Sequence, residues 1–218
     1  MVTALAAGGR WKFRVALARA REVLREEGVR SLWFKILGET VYRRLLLLER
    51  PLQEPIPAVT ARVPVVMSLL QKSEIAEYVE FRGGTDVSEV QSQLDAGHWC
   101  FVAHSQGRVV ATSWAATNRA WLDYLSRELR LALDEVYGYD SFAEPAFRGQ
   151  NLGPALTAEK LRYFRAAGYR RLVADILPEN RASLRADAKT GFRPYGLIGY
   201  VKIGPWRQDF CRVRNALT

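Results

Sequence analysis

Cysteine, methionine and histidine each occur only twice in these 218 residues. Two cysteines, Cys100 and Cys211, cannot build the framework of a small disulfide-rich domain, so a reducing, cytoplasmic setting is expected. Long apolar runs are lacking as well. The longest leucine run is Leu45 to Leu48, far short of the ~20 residues that span a bilayer. Arg10, Lys12 and Arg14 interrupt any early stretch that could serve as a signal peptide. Glycine and proline, at 16 and 9, are too few for a collagen-like or low-complexity chain. Neither a zinc-finger spacing nor an aromatic RNA-binding strand occurs, and no nucleic-acid partner is expected. His98, Cys100 and His104 lie close together, but no fourth ligand at a metal-site spacing accompanies them, and no metal is expected.

What is present is apolar residues, at 49% of the chain, enough to bury a sizeable core. The net charge of +9 is segregated: residues 1–50 carry a surplus of six positive charges, residues 51–140 five negative and residues 141–218 eight positive. Two basic ends around an acidic middle suggest separate partners for separate segments.

Residues 10–27 carry a helical pattern that stops at Gly28. Leu32, Trp33, Ile36, Leu37, Val41 and Leu45, at three- and four-residue spacing, predict a second helix over 29–49. Pro51, Pro55 and Pro57 then break the pattern, so 52–61 reads as a linker. From Val63 the character changes. Strands are expected over 63–69, 99–103 and 109–115, with a turn at Gln106-Gly107, and helices over 74–81 and 87–96. A helical insertion is expected over 119–133, a strand over 136–142, and a helix over 153–167 ending at Gly168. A strand over 172–177, a short helix over 183–189 and strands over 195–203 and 210–213 complete the chain. This alternation predicts an α/β (α+β) domain over 62–218 behind an N-terminal helical extension and linker, residues 1–61.

The stretch richest in chemistry is Arg148-Gly149-Gln150-Asn151-Leu152-Gly153, between a predicted strand and a predicted helix. Small residues let backbone approach a ligand, and the first amides of a helix attract anions. Pro154 suits the first helical turn. No Gly-Lys-Ser/Thr follows, and the dinucleotide-binding glycine triplet is lacking. Some thirty residues on come Asn180-Arg181-Ala182-Ser183 and then Gly191-Phe192.

Together these motifs, in this order, resemble the GNAT superfamily of acyl-CoA-dependent N-acyltransferases. The resemblance covers residues 62–218 and is strongest over 136–204. It implies a mixed, mostly antiparallel central sheet flanked by helices, with acetyl-CoA as co-substrate and an amine-bearing acceptor, small or carrier-borne. Residues Arg148, Gly149, Gln150, Asn151, Leu152 and Gly153 match the family's pyrophosphate loop. Phe142 and Ala143 match the strand end that holds the pantetheine arm, with an amide near Ala143 polarising the thioester carbonyl. Asn180 and Ser183 match the pantetheine neighbours on the following helix. Asn151 replaces the first loop glycine, and Asn tolerates left-handed backbone. Asp187 stands where many members carry the tyrosine that protonates the departing thiolate. A thiol of ordinary pKa ~8.5 leaves without a strong acid.

For the base, Asp140 is the best-placed carboxylate, just before the implied thioester position. It reads equally as an acceptor ligand and as a strand-end Asp paired to an Arg. Glu144 is second, while Glu135 and Asp134 read as surface charge. Trp114, Trp121 and Trp206 suit a core or an acceptor-pocket wall, and Tyr195 and Tyr200 suit strand packing. The competing reading is a catalytically silent acyl-CoA-binding module acting through its basic N-terminal helices. The apolar stripe of those helices has three outlets: docking on the domain, pairing in a homodimer, or peripheral contact with an anionic membrane through residues 29–49. Docking is expected, because a chain usually buries its own apolar surface.

Overall fold

The computed structural model describes residues 41–117 and 119–213. The helix expected over 10–27, and residues 29–40 of the second, lie outside them. Ten strands are described: β1 Tyr42–Pro51, β2 Val66–Leu69, β3 Trp99–Ser105, β4 Arg108–Thr117, β5 Arg119–Leu122, β6 Arg127–Arg130, β7 Glu135–Ala143, β8 Arg171–Ile176, β9 Arg193–Ile203 and β10 Trp206–Val213. The helices are α1 Ile75–Arg82, α2 Val87–Asp95, α3 Leu152–Ala166 and α4 Arg181–Ala188. Eight strands form one sheet in the order β10-β9-β1-β8-β7-β4-β3-β2, and β5 and β6 form a separate hairpin. The paired registers of β2–β3, β3–β4, β4–β7 and β1–β8 are antiparallel, whereas β7–β8 is parallel, so the sheet is mixed and mostly antiparallel, as expected.

The chain divides into two compact units. Leu45–Ile198 with Cys211–Val213 makes one, and the other includes Gly199–Phe210. In the smaller unit the rings of Tyr42 and Phe210 stack at 5.8 Å.

The larger unit carries the core. Leu156, Leu161 and Phe164 of α3 pack on Phe101, Val136 and Leu172 of the sheet, all buried. A second cluster joins α1 to β3 and β4, where the Trp114 indole donates to the Tyr78 hydroxyl at 2.8 Å. Trp114 is thus a core residue, while Trp121 and Trp206 are exposed.

Two expectations are corrected. The segment 42–49 is not the end of a helix but strand β1, paired with β8 from Leu46↔Ile176 to Pro51↔Arg171. Leu45, Leu47 and Leu48 are buried there. A short continuous apolar run is equally a strand covered on both faces, and periodicity cannot separate the two. The larger unit begins at Leu45, within this strand. The insertion over 119–133 is the hairpin β5–β6, with Arg119↔Arg130 and Leu122↔Arg127 in register and a tight helical turn at Asp123–Leu125. Ala120 and Leu122 are buried while Trp121 between them is exposed, a period of two too short to stand out in the sequence.

At the end of β1, Arg50 is only 2% exposed. Its guanidinium donates to the carbonyls of Thr190 at 2.9 Å, Pro51 at 2.8 Å and Pro55 at 2.6 Å, and to Glu54 at 2.8 Å. This latch explains Gly191: its φ is +85°, and a Cβ there would lie 2.9 Å from Arg50 Nε. Arg50 cannot swing aside without leaving buried carbonyls unmet. Gly191→Ala should therefore lower stability by about 1–3 kcal/mol, read as a fall in the urea midpoint with an unchanged slope.

Candidate active site

The site begins where the parallel ladder stops. β7 and β8 pair from Glu135↔Arg171 to Gly138↔Ala174 and no further. On its other edge β7 follows β4, but between Trp114↔Tyr139 and Thr112↔Phe142 two residues, Asp140 and Ser141, face one, Ser113. Asp140 takes a φ of +41°. Such a bulge bends a strand and re-aims its side chains. β7 thus turns away from β8 and opens a cleft of about 450 Å³, lined by Tyr139–Ala143, Asp175–Leu177, Asn180 and Ser183 among others.

The register fixes the backbone at this edge. Glu144 N donates to Val110 O at 3.0 Å. Amides alternate along a strand, so with Ala111↔Ala143 in register the Ala143 N–H points away from β4, into the cleft. Thr112 also lines the cleft, and its buried hydroxyl has no partner among the described residues.

The motif loop lies at the start of α3. Gly149 and Asn151 have φ of +79° and +59°. Asn151 therefore adopts the left-handed backbone expected of it. Gly153 lines the cleft, and a Cβ built on Gly149 or Gly153 would meet nothing within 4 Å. Arg148 is exposed, Leu152 is buried under the loop, and Gln150 O accepts from Arg62 N at 2.8 Å. The sequence did not single out Lys189, whose amine donates to Asn151 Oδ1 at 2.6 Å and adds a positive charge beside the loop. A helix N-terminus with two cations and open space is a fitting seat for a diphosphate. Asn180 caps α4, its side chain accepting from Ser183 N at 3.1 Å, and both residues line the cleft.

Asp140 lies on the cleft with its carboxylate bonded to Arg82 at 2.7 Å. The same guanidinium stands 4.5 Å over the Phe142 ring, which meets Phe81 at 5.5 Å. Arg82, at the end of α1, thus holds two neighbouring residues of β7. Phe142 is shared with a second hollow of about 370 Å³, where Glu77, Glu80 and Glu144 outnumber Arg108. His98 meets the Tyr139 hydroxyl at 2.6 Å and His104 lies 3.9 Å from Glu74. Among the described residues no cluster of three or more candidate metal ligands occurs.

Two groups in the cleft carry perturbed charge. Lys160 of α3 is 3% exposed and donates to Ser113 Oγ at 2.7 Å, which is 2.8 Å from Ser141 Oγ. Burial pushes this amine down to about 8, offset in part by the charge of Asp187. Asp187, half-buried on α4, is pushed up to about 6 by burial, with Lys160 opposing. The sequence pointed to Asp187 but not to Lys160, which reads as an ordinary polar-face residue of an amphipathic helix. Asp175, bonded by the Tyr137 hydroxyl, also lines the cleft, and burial raises its carboxyl.

Residues 67–192, more than half of the chain, match the Acetyltransferase (GNAT) family. The chain belongs to the GNAT acetyltransferase family. Transfer of an acetyl group from acetyl-CoA is the general chemistry of that family. Solved structures share the fold. A GCN5-related N-acetyltransferase from Sphaerobacter thermophilus superposes with a TM-score of 0.55 at 13% identity, over 82% of this chain and 56% of that one. A GNAT acetyltransferase from Novosphingobium aromaticivorans gives 0.54 at 16% identity, over 74% and 65%. The glucosamine N-acetyltransferase region of a fungal multi-domain GH3 β-N-acetylglucosaminidase gives 0.52 at 16%, over 72% and 20%. The chain thus spans less than two thirds of each of these relatives. None of the curated proteins compared matches the sequence.

Gly153→Asp puts bulk and negative charge into the open space at the loop. It should abolish CoA binding in calorimetry while circular dichroism stays that of the wild type. A second outcome concerns pH. The unfolded chain keeps the Lys160 proton up to the ordinary value of 10.5, whereas the folded chain gives it up near 8. Between those values the unfolded state binds more protons, so stability from this group rises with pH. The unfolding free energy of wild type relative to Lys160→Met should climb across that window.

Proposed function

We propose that the protein transfers an acetyl group from acetyl-CoA to the primary amine of a cationic acceptor, small or carrier-borne, by direct attack in a ternary complex. The observation that carries this reading is the parted β7–β8 edge, with a cation-flanked helix N-terminus at its mouth and the Ala143 amide turned inward. In this reading the amides of residues 149–153, with Arg148 and Lys189, take the diphosphate. Phe142, Ala143, Asn180 and Ser183 line the pantetheine path. The Ala143 N–H faces the thioester oxygen, where charge develops in the transition state.

The acceptor reading rests on charge. Glu77, Glu80 and Glu144 beside Phe81 and Phe142 make an acidic, partly aromatic approach, which favours an ammonium over an anion or a neutral alcohol. An amine must shed a proton before it attacks. Asp140 stands at the junction of the two hollows through its neighbour Phe142, and its bond to Arg82 fixes the carboxylate. It serves as the acceptor's ligand and proton acceptor. The free thiols Cys100 and Cys211 suit a reducing, cytoplasmic compartment.

Thiol release from acetyl-CoA, followed over a panel of polyamines, amino sugars and lysine peptides, tests the reaction class. Asp140→Asn should lower turnover at least tenfold, about 1.4 kcal/mol of barrier, at unchanged CoA affinity. Turnover equal to wild type at every pH would remove Asp140 from the mechanism.

A further inference from the structure

Three charged side chains are buried among the described residues: Glu49, Arg50 and Lys160. Glu49 is met by Arg171 at 2.8 Å and Arg50 by Glu54 at 2.8 Å. Lys160 instead donates to a neutral hydroxyl, Ser113 Oγ. The carboxylate that acts on it, Asp187, does so through space, with no ion pair within 4 Å. An apolar side chain of the same length would fill this place at less cost, because a buried ammonium without a close counter-charge opposes folding.

Its position gives the amine a use. A Cβ built on Gly138 would lie 3.0 Å from Lys160 Nζ. Gly138 is the last β7 residue laddered to β8. The amine therefore sits at the apex, where the two strands part and the cleft closes. Ser113, its hydrogen-bond acceptor, lies opposite the Asp140–Ser141 bulge, and Phe142 and Ala143 follow that bulge on the same cleft wall. An acyl thioester entering along β7 brings its oxygen to the Ala143 amide and its sulfur within the field of the one ammonium lining the cleft among the described residues.

We infer that Lys160 is a catalytic residue: its ammonium meets the thioester sulfur and protonates it as the carbon–sulfur bond breaks, with Asp187 as the positioning residue that sustains its charge. This rests on the proposed reading of the cleft as an acyl-CoA site. The bookkeeping balances. The acceptor nitrogen's lone pair forms the new carbon–nitrogen bond, and the carbon–sulfur pair leaves on sulfur. A proton from Lys160 Nζ completes the thiol, and the proton shed by the amide nitrogen passes through Asp140 and solvent to restore the ammonium. The proton affinity of Lys160, brought down to about 8 by burial, sits beside that of an ordinary thiol, ~8.5. Transfer between matched groups needs little driving force. Cys100 also acts on Lys160 through space, but burial pushes its thiol up, so it stays neutral; Tyr139, Asp140 and Asp175 line the same cleft.

The test uses binding rather than turnover. Calorimetric affinities of the full chain for CoA and for desulfo-CoA, which lacks only the sulfur, are compared from about pH 6 to 10. Pairing of the ammonium with a thiolate releases a proton below about pH 8 and takes one up above ~8.5. CoA should therefore bind about tenfold more tightly than desulfo-CoA, equivalent to ~1.4 kcal/mol, with the advantage greatest near pH 8 and falling on either side. Lys160→Met should bind the two ligands alike, and Asp187→Asn should shrink the advantage and move its maximum to lower pH. Equal affinities in the wild type overturn the inference even if Lys160→Met does not fold, and so does an advantage that survives in Lys160→Met. Wild type that binds neither ligand overturns the acyl-CoA reading itself, and the inference with it.

Discussion

The parallel ladder between β7 and β8 ends at Gly138 and Ala174, and the bulge opposite Ser113 turns β7 away from its neighbour. A strand edge without a partner exposes amides and carbonyls that a folded protein ordinarily pairs or covers. Here the uncovered edge lies inside the sheet rather than at its rim. The helix that follows β7 starts at the mouth of the gap with a left-handed Asn151 and a flanking lysine. Cleft, loop and charged apex all depend on that one break.

The break is held open from both sides. On one side Arg82 bonds Asp140 and covers Phe142, so the bulge is tied to the end of α1. On the other, Arg50 ties β1, which is laddered to β8, to the Thr190–Gly191 turn behind α4. That turn also delivers the Thr190 amide and hydroxyl to the Asp187 carbonyl, which fixes the end of α4 that carries Asp187. Two arginines far apart in sequence thus brace the two walls. Each makes several hydrogen bonds or ring contacts at once, which a lysine could not reproduce.

A buried lysine amine and a half-buried carboxyl, pulled toward each other in proton affinity, occupy the cleft interior. An amine lowered and a carboxyl raised by burial within one cavity mark the cleft interior as a candidate functional site. Leu156, Leu172 and Phe192 are among the buried apolar side chains around them.

The sequence by itself determined whatever is encoded within a few neighbouring residues. The Arg148–Gly153 loop, the helix after it, the turn at Gln106-Gly107 and the tolerance of Asn151 for left-handed backbone are local, and local chemistry is legible in a string. Element type over 63–117 and 136–213 was legible for the same reason. Only the tertiary structure decided what depends on partners distant in sequence. Leu45–Leu48 became a strand because β8 was available to pair with it, and a run of four leucines has no periodicity to announce that. Asp140 met Arg82 across 58 positions, and Lys160 met Ser113 across 47. Nothing beside Lys160 in the chain distinguishes it from the solvated residues of the same helix, Glu159 and Arg162. Its burial, and the proton affinity that follows from it, exist only once a sheet with a gap has closed over that face of α3.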